Sequence, residues 1–124
     1  IFKNAPTGTY YIQLKHRNSI ETWSKTGGES MTRGVLKIYD FTNAAAQAYG
    51  SNLILKGIRY CIFGGDVNQD GTIDASDLSE TDNASFNSLS GYVRTDVTGD
   101  NFVDATDVSI VDNNAFNAVS VVRP

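Results

Sequence analysis

The sequence predicts a mostly β first half, Ig-like or a partial β-sandwich, followed by a small α unit in which one loop and one helix occur twice. Three observations lead there: apolar residues alternate before Gly64, a 30-residue register repeats after it, and the charge changes sign between the halves. The expected division is a β-sandwich-like domain over residues 1–64 and a double repeat with a C-terminal strand over residues 65–124.

In the first half, Thr9–His16 places Tyr10, Ile12 and Leu14 on one face. Val35–Phe41 alternates likewise, with Val35, Lys37, Tyr39 and Phe41 opposite Leu36 and Ile38. Gly57–Phe63 reads as a further strand, covered on both faces. Turn residues at Pro6-Thr7-Gly8, Thr26-Gly27-Gly28 and Gly50-Ser51-Asn52 separate these runs, and the alanine-rich Thr42–Tyr49 reads as a short helix. Four or five strands are few for a closed sandwich or barrel, so the sheet edges call for cover. The repeats, the Val119–Val122 segment, an upstream region, or a strand from a neighbouring subunit could supply it, unless these are ordinary edges of a self-contained fold. Ile1-Phe2 could itself be such a strand, and a start at Ile1 rather than Met suggests a processed or excised product.

The 124 residues are 40% apolar and 19% charged, which allows a modest core. Residues 1–65 carry eight Lys and Arg against three Asp and Glu, a balance of +5, whereas residues 66–124 carry two against eleven, a balance of −9. An acidic face argues against nucleic acid, which binds cationic surfaces. No apolar run is long enough for membrane insertion, and no basic-then-apolar leader is present. Cys61 stands alone in an apolar-rich stretch and reads as a buried structural thiol. His16 is the one histidine, so histidine-held zinc and a Ser-His-Asp triad both lack their central part, and the chain reads as no enzyme.

The informative stretch is GDVNQDGTIDASD, Gly65 to Asp77, repeated as TDVTGDNFVDATD, Thr95 to Asp107. Beyond the loops, Leu78 matches Val108, Ser79 matches Ser109, Asp82-Asn83 matches Asp112-Asn113, and Phe86-Asn87 matches Phe116-Asn117. In the first loop Asp66, Asn68, Asp70, Asp74 and Asp77 occupy positions 1, 3, 5, 9 and 12, with the Thr72 carbonyl at position 7. This is the ligand set of a calcium loop. A hard divalent cation takes about 6 to 8 oxygens, so a short chain surrounds it only by winding sharply and turning alternate groups inward. Gly71 permits the turn because it reaches positive φ without a Cβ clash, and Ile73 points away, into the core between the loops. The second loop offers Asp96, Thr98, Asp100, the Phe102 carbonyl, Asp104 and Asp107. Thr98 is a poorer neutral donor than Asn68, and Asn101 replaces Gly71, so this site is expected to bind more weakly. Two Ca²⁺ are expected, and millimolar calcium outside cells fills even weak sites, which suits constitutive structure.

Each loop closes with Asp77 or Asp107 where helix-loop-helix sensors carry Glu. With that ending, residues 65–118 resemble the dockerin repeat, a twice-occurring calcium loop followed by one helix. The resemblance implies a small extracellular module, found at the C-terminus of large secreted bacterial proteins, that binds cohesin domains. Dockerins contact cohesin with the pair before the last ligand, here Ala75-Ser76 and Ala105-Thr106, and with the following helix. Leu78–Asn83 departs from the family: it is short, acidic, interrupted by Asn, and lacks the usual Leu- and Lys-rich continuation. Asp82 and Asp112 are expected to cap a helix end, or else to act as outer ligands.

Three functions remain. The first is an extracellular, calcium-stabilised structural module, a subunit or anchor of a bacterial surface assembly or filament that self-associates with neighbouring subunits, possible strand exchange included. The second is a true dockerin adaptor joining secreted enzymes to a cohesin. The third is a carbohydrate-binding module using Trp23 with Tyr10, Tyr11 and Tyr39, although core packing is the plainer role for these rings. Asn83-Ala84-Ser85 is a glycosylation sequon and marks Asn83 as a site for a surface glycan.

Overall fold

The computed structural model describes residues 5–124; the expected strand at Ile1-Phe2 lies outside them. Two compact units are present. The first comprises the described residues through Leu14, Thr22–Cys61 and Val122–Pro124; the second comprises Lys15–Glu21 and Ile62–Val121.

Small antiparallel hairpins make up the first half, and no closed sandwich forms among the described residues. The expected strand over Thr9–His16 divides into β1 (Gly8–Tyr10) and β2 (Gln13–His16). The interruption has a local cause at Ile12, which donates its N–H to Ser24 Oγ at 2.9 Å and accepts from the Ser24 N–H at 2.8 Å. The chain continues through β3 (Ser19–Trp23) and β4 (Glu29–Met31) to β5 (Ile54–Lys56) and β6 (Arg59–Cys61). β1 pairs with β4 in the register Gly8 to Met31, β5 with β6 in the register Ile54 to Cys61, and β2 with β3 across the Arg17-Asn18 turn. Buried Glu29 on β4 holds Lys25 at 2.8 Å and Lys37 at 2.7 Å. Its carboxyl is held below the ordinary range by the hydrogen bond from Lys25 and then by that from Lys37.

Three expectations for this half are corrected. Val35–Phe41 is no strand: side-chain alternation is a property of any extended segment, whereas a strand also needs a neighbouring backbone. Here the side chains settle the path instead, Lys37 on Glu29 and the Tyr39 hydroxyl donating to the Gln47 carbonyl at 2.6 Å, while Val35, Leu36 and Ile38 are exposed. The short helix expected over Thr42–Tyr49 narrows to a 3₁₀ turn at Ala45–Gln47, followed by a second at Tyr49–Ser51; the run is short and Gly50 leaves it at φ 64°. The β5–β6 ribbon is not covered on both faces: Ile58 at its turn is 90% exposed, and Cys61, opposite Ile54 at its other end, is exposed rather than buried.

The second unit is built on α1 (Ala75–Phe86) and α2 (Ala105–Phe116), which pack against each other. Both run unbroken for 12 residues, so Asn83 does not interrupt α1 as expected. Each helix ends on an asparagine whose side chain donates to a carbonyl one turn back, Asn87 to Asn83 and Asn117 to Asn113, both at 2.7 Å. Ile73, Val111, Val119 and Ile20 form the core, flanked by Phe63, Leu78, Val97, Ala115 and Val121. Val67 and Val103 are also buried. The C-terminal segment forms a single antiparallel bridge, Thr72 to Ser120, in place of a full strand; Ser90 and Phe102 form its repeat-related counterpart.

Candidate metal centre

Both acidic loops are wound by residues in the left-handed region. Gln69 and Gly99 lie at φ 62° and 78°, and Gly71 and Asn101 at 94° and 78°. Asn101 therefore adopts the conformation for which Gly71 is suited, as the side-chain preferences anticipate. At Gly71 the space is also closed, because an added Cβ would come within 3.1 Å of Val121 Cγ1.

The last aspartate of each loop does two jobs. Asp77, fully buried, accepts the N–H groups of Val67 and Asn68 on Oδ1 at 2.9 and 3.1 Å and that of Asp74 on Oδ2 at 3.0 Å. Asp107 repeats this with Val97, Thr98 and Asp104, all at 2.9 Å. Asp74 and Asp104 in turn are the N-caps of α1 and α2, accepting from Ser76 and Thr106 N–H at 2.8 and 2.7 Å. A shorter carboxylate suits this position because loop closure and helix start fall within three residues.

The first loop gathers charge that its own atoms do not satisfy. Carboxylate oxygens of Asp66, Asp70 and Asp77 lie within 4.8 Å of one another. Asp66 is 2% exposed; its Oδ2 accepts the Gly71 N–H at 3.2 Å, while its Oδ1 is buried with no hydrogen-bond partner. Burial, then the Asp77 charge, push the Asp66 carboxyl above its ordinary range, against the Gly71 N–H that pulls it down. An orphaned carboxylate oxygen facing two further carboxylates is what a hard cation would satisfy, so the residues fit Ca²⁺.

The second loop differs. Asp96 Oδ1 accepts from Gly99 N–H at 2.7 Å and Thr98 Oγ1 at 3.3 Å, and Oδ2 from Asn101 N–H at 3.0 Å. Burial opposes its charge, but the amides of Gly99 and Asn101 outweigh that and hold its carboxyl below the ordinary range. Among the described residues no three carboxylates of this loop approach as closely as those of the first.

Of the remaining sequence candidates, Asn68 lies in the first cluster, accepting from Asp70 N–H on Oδ1 at 2.8 Å and donating to Asp70 Oδ2 at 2.9 Å. Asp100 accepts the Phe102 N–H at 3.0 Å. Asp74 and Asp104 are exposed at the helix starts, and Thr72 and Phe102 sit at the two bridges. Asp82 and Asp112 lie exposed inside the helices and cap neither end, which corrects that expectation. Trp23 is half-buried, and Tyr39 is edge-on to Phe41 at 4.7 Å between ring centres.

One part of the site carried no motif. Asn18, in the β2–β3 turn, donates from Nδ2 to the Asp96 carbonyl at 2.7 Å, and its own carbonyl accepts the Gly65 N–H at 2.7 Å. The only hint in the sequence is the loss of a side chain between Gln69 and Gly99.

No helix is long and apolar enough to cross a membrane among the described residues. No curated protein and no solved structure matches the chain. The model of the family described as "Dockerin type I domain" matches residues 64–117, a little under half of the chain. Such domains are non-catalytic, bind Ca²⁺ and occur on secreted proteins, where they serve calcium-dependent protein interaction. The duplicated loop and helix, the capped starts of α1 and α2 and the acidic cluster of the first loop agree with that match: residues 64–117 of this chain are a dockerin type I domain.

Proposed function

We propose that this chain is a calcium-locked adaptor that ties the polypeptide carrying it to a cohesin domain outside the cell. The observation that carries the reading is Asp66 Oδ1, buried and without a hydrogen-bond partner beside Asp70 and Asp77. One ion would be held by Asp66, Asn68, Asp70, Asp74, Asp77 and the Thr72 carbonyl. A second would be held by Asp96, Thr98, Asp100, Asp104, Asp107 and the Phe102 carbonyl. Bound calcium supplies positive charge that cancels carboxylate repulsion, so binding energy becomes folding energy. Ser76 and Thr106 are exposed in the first turns of α1 and α2 and are offered to the partner. The test is capture on immobilised cohesins in calcium and in EGTA, with Ser76→Asp and Thr106→Asp together. Retention in calcium that chelation and the paired substitution both abolish is expected; equal retention in EGTA overturns the reading.

A second reading, a subunit that shares strands with its neighbours, draws on the first unit. Leu36 and Ile38 are 78% and 80% exposed on an extended segment outside any sheet. Electron microscopy of the purified chain separates the two readings, since fibres would favour the second and dispersed particles the first.

A further inference from the structure

The carbonyls of Asp66 and Asp96 open equivalent loops, yet different parts of the chain hold them. In the first loop Gln69 folds back and donates from Nε2 to the Asp66 carbonyl at 2.6 Å. Thirty residues on, Gly99 has the same left-handed backbone but no side chain to do this. The Asp96 carbonyl instead receives Asn18 Nδ2 at 2.7 Å and Arg17 Nη2 at 3.4 Å.

We propose that Asn18, assisted by Arg17, is a positioning residue for the second calcium loop, supplying from the β2–β3 turn what Gln69 supplies within the first. The inference rests on the calcium reading. Asn18 is 3% exposed, so its amide has no water to turn to, and its orientation is fixed. His16 Nδ1 lies 2.9 Å from Asn18 Oδ1; an amide oxygen only accepts, so the ring N–H donates and Nδ2 is left to face Asp96. Arg17 is anchored separately, by Nε on the Val93 carbonyl at 3.4 Å and by its guanidinium 3.9 Å from the Tyr92 ring centre. A fixed carbonyl fixes the peptide plane that carries the first ligand of the loop. The calcium-binding unit thus extends upstream of residue 64 to include residues 15–21, consistent with their place in the second compact unit.

The experiment is calcium titration of the full chain, read for each loop separately by amide resonances of residues 68–74 and 98–104 and in total by calorimetry. Asn18→Ala is expected to weaken the second loop about five- to tenfold, the loss of a neutral buried hydrogen bond, and to leave the first within about twofold. Gln69→Ala is expected to do the reverse. Gly99→Gln added to Asn18→Ala is expected to bind calcium at the second loop more tightly than Gly99→Ala added to Asn18→Ala: both carry the strain of a side chain at φ 78°, a Cβ there meets nothing within 4 Å, and only Gln brings the amide donor that Gln69 offers from φ 62°. If Asn18→Ala loses its fold, Arg17→Ala is expected to weaken the second loop about fivefold and again leave the first within about twofold, its hydrogen bond being charged but long at 3.4 Å. Equal weakening of both loops, no weakening of either, or no advantage of Gly99→Gln over Gly99→Ala overturns this inference alone. Absence of calcium uptake by the unaltered chain overturns the calcium reading as well.

Discussion

Ile73 donates its backbone N–H to the Val119 carbonyl at 2.8 Å, just as Val103 donates to the Leu89 carbonyl at 2.9 Å. The exit of each acidic loop is therefore tied to the residues that follow the opposite repeat's helix. Ile73 and Val119 are also buried in one cluster, so hydrogen bond and apolar contact reinforce each other. Ile73→Ala is expected to cost about 2–5 kcal/mol, and Val119→Ala about 1–3 kcal/mol, by burial lost and cavity left. Urea unfolding followed by amide exchange in residues 65–121 measures both; a cost under about 0.5 kcal/mol at Ile73 would contradict the described core.

Calcium removal gives the second prediction. Carboxylates crowd at Asp66, Asp70 and Asp77, so EGTA is expected to lower the melting temperature and deprotect amides of residues 65–118. With calcium at a hundred times the dissociation constant, each site adds about 2.7 kcal/mol of stability. A melting curve unchanged by chelation would remove the metal from this account.

Acid should act on the two leading aspartates in opposite directions when calcium is absent. Asp66 has a folded pKa raised above its ordinary 3.8, so its stabilising contribution is complete below that value and is lost as pH rises through the folded pKa. Asp96 has a lowered folded pKa, so its contribution is present above the ordinary value and is lost as pH falls through the folded one. In EGTA, Asp66→Asn is therefore expected to raise the melting temperature at neutral pH, while Asp96→Asn lowers it. In calcium, both substitutions should weaken metal uptake, which direct titration checks.

Cys61 supplies a prediction for the first unit. Its thiol is exposed on β6, so native protein is expected to react with Ellman's reagent to one equivalent without denaturant. Reaction that appears only on unfolding would restore the buried thiol expected from its apolar neighbours.

The sequence revealed the second half better than the first, and the difference is physical. A metal loop writes its chemistry into fixed positions, because oxygens at every second residue and a left-handed turn have few other uses. Asp66, Asp70 and Asp77 could thus be assigned to one cluster before any coordinates. Helix continuity was harder to see: Asn83 has low intrinsic propensity, but burial of Thr81 and Ala84 on one face of α1 carries the helix past it. In the first half, apolar alternation at Val35–Ile38 specifies extended backbone without specifying a partner, and the Glu29 ion pairs decide the path. Asn18 left no signature at its own position, only the missing side chain at Gly99 opposite Gln69, since one long-range hydrogen bond imposes no spacing on the chain around it.

The crossed closure has a consequence for how such a molecule can be cut or inherited. A fragment holding only one loop and one helix would own neither the tail it needs nor a place for the tail it has. Two identical halves could satisfy each other by trading tails, so a reciprocal homodimer of single repeats is the simplest assembly from which this tandem arrangement can be reached by joining chains end to end.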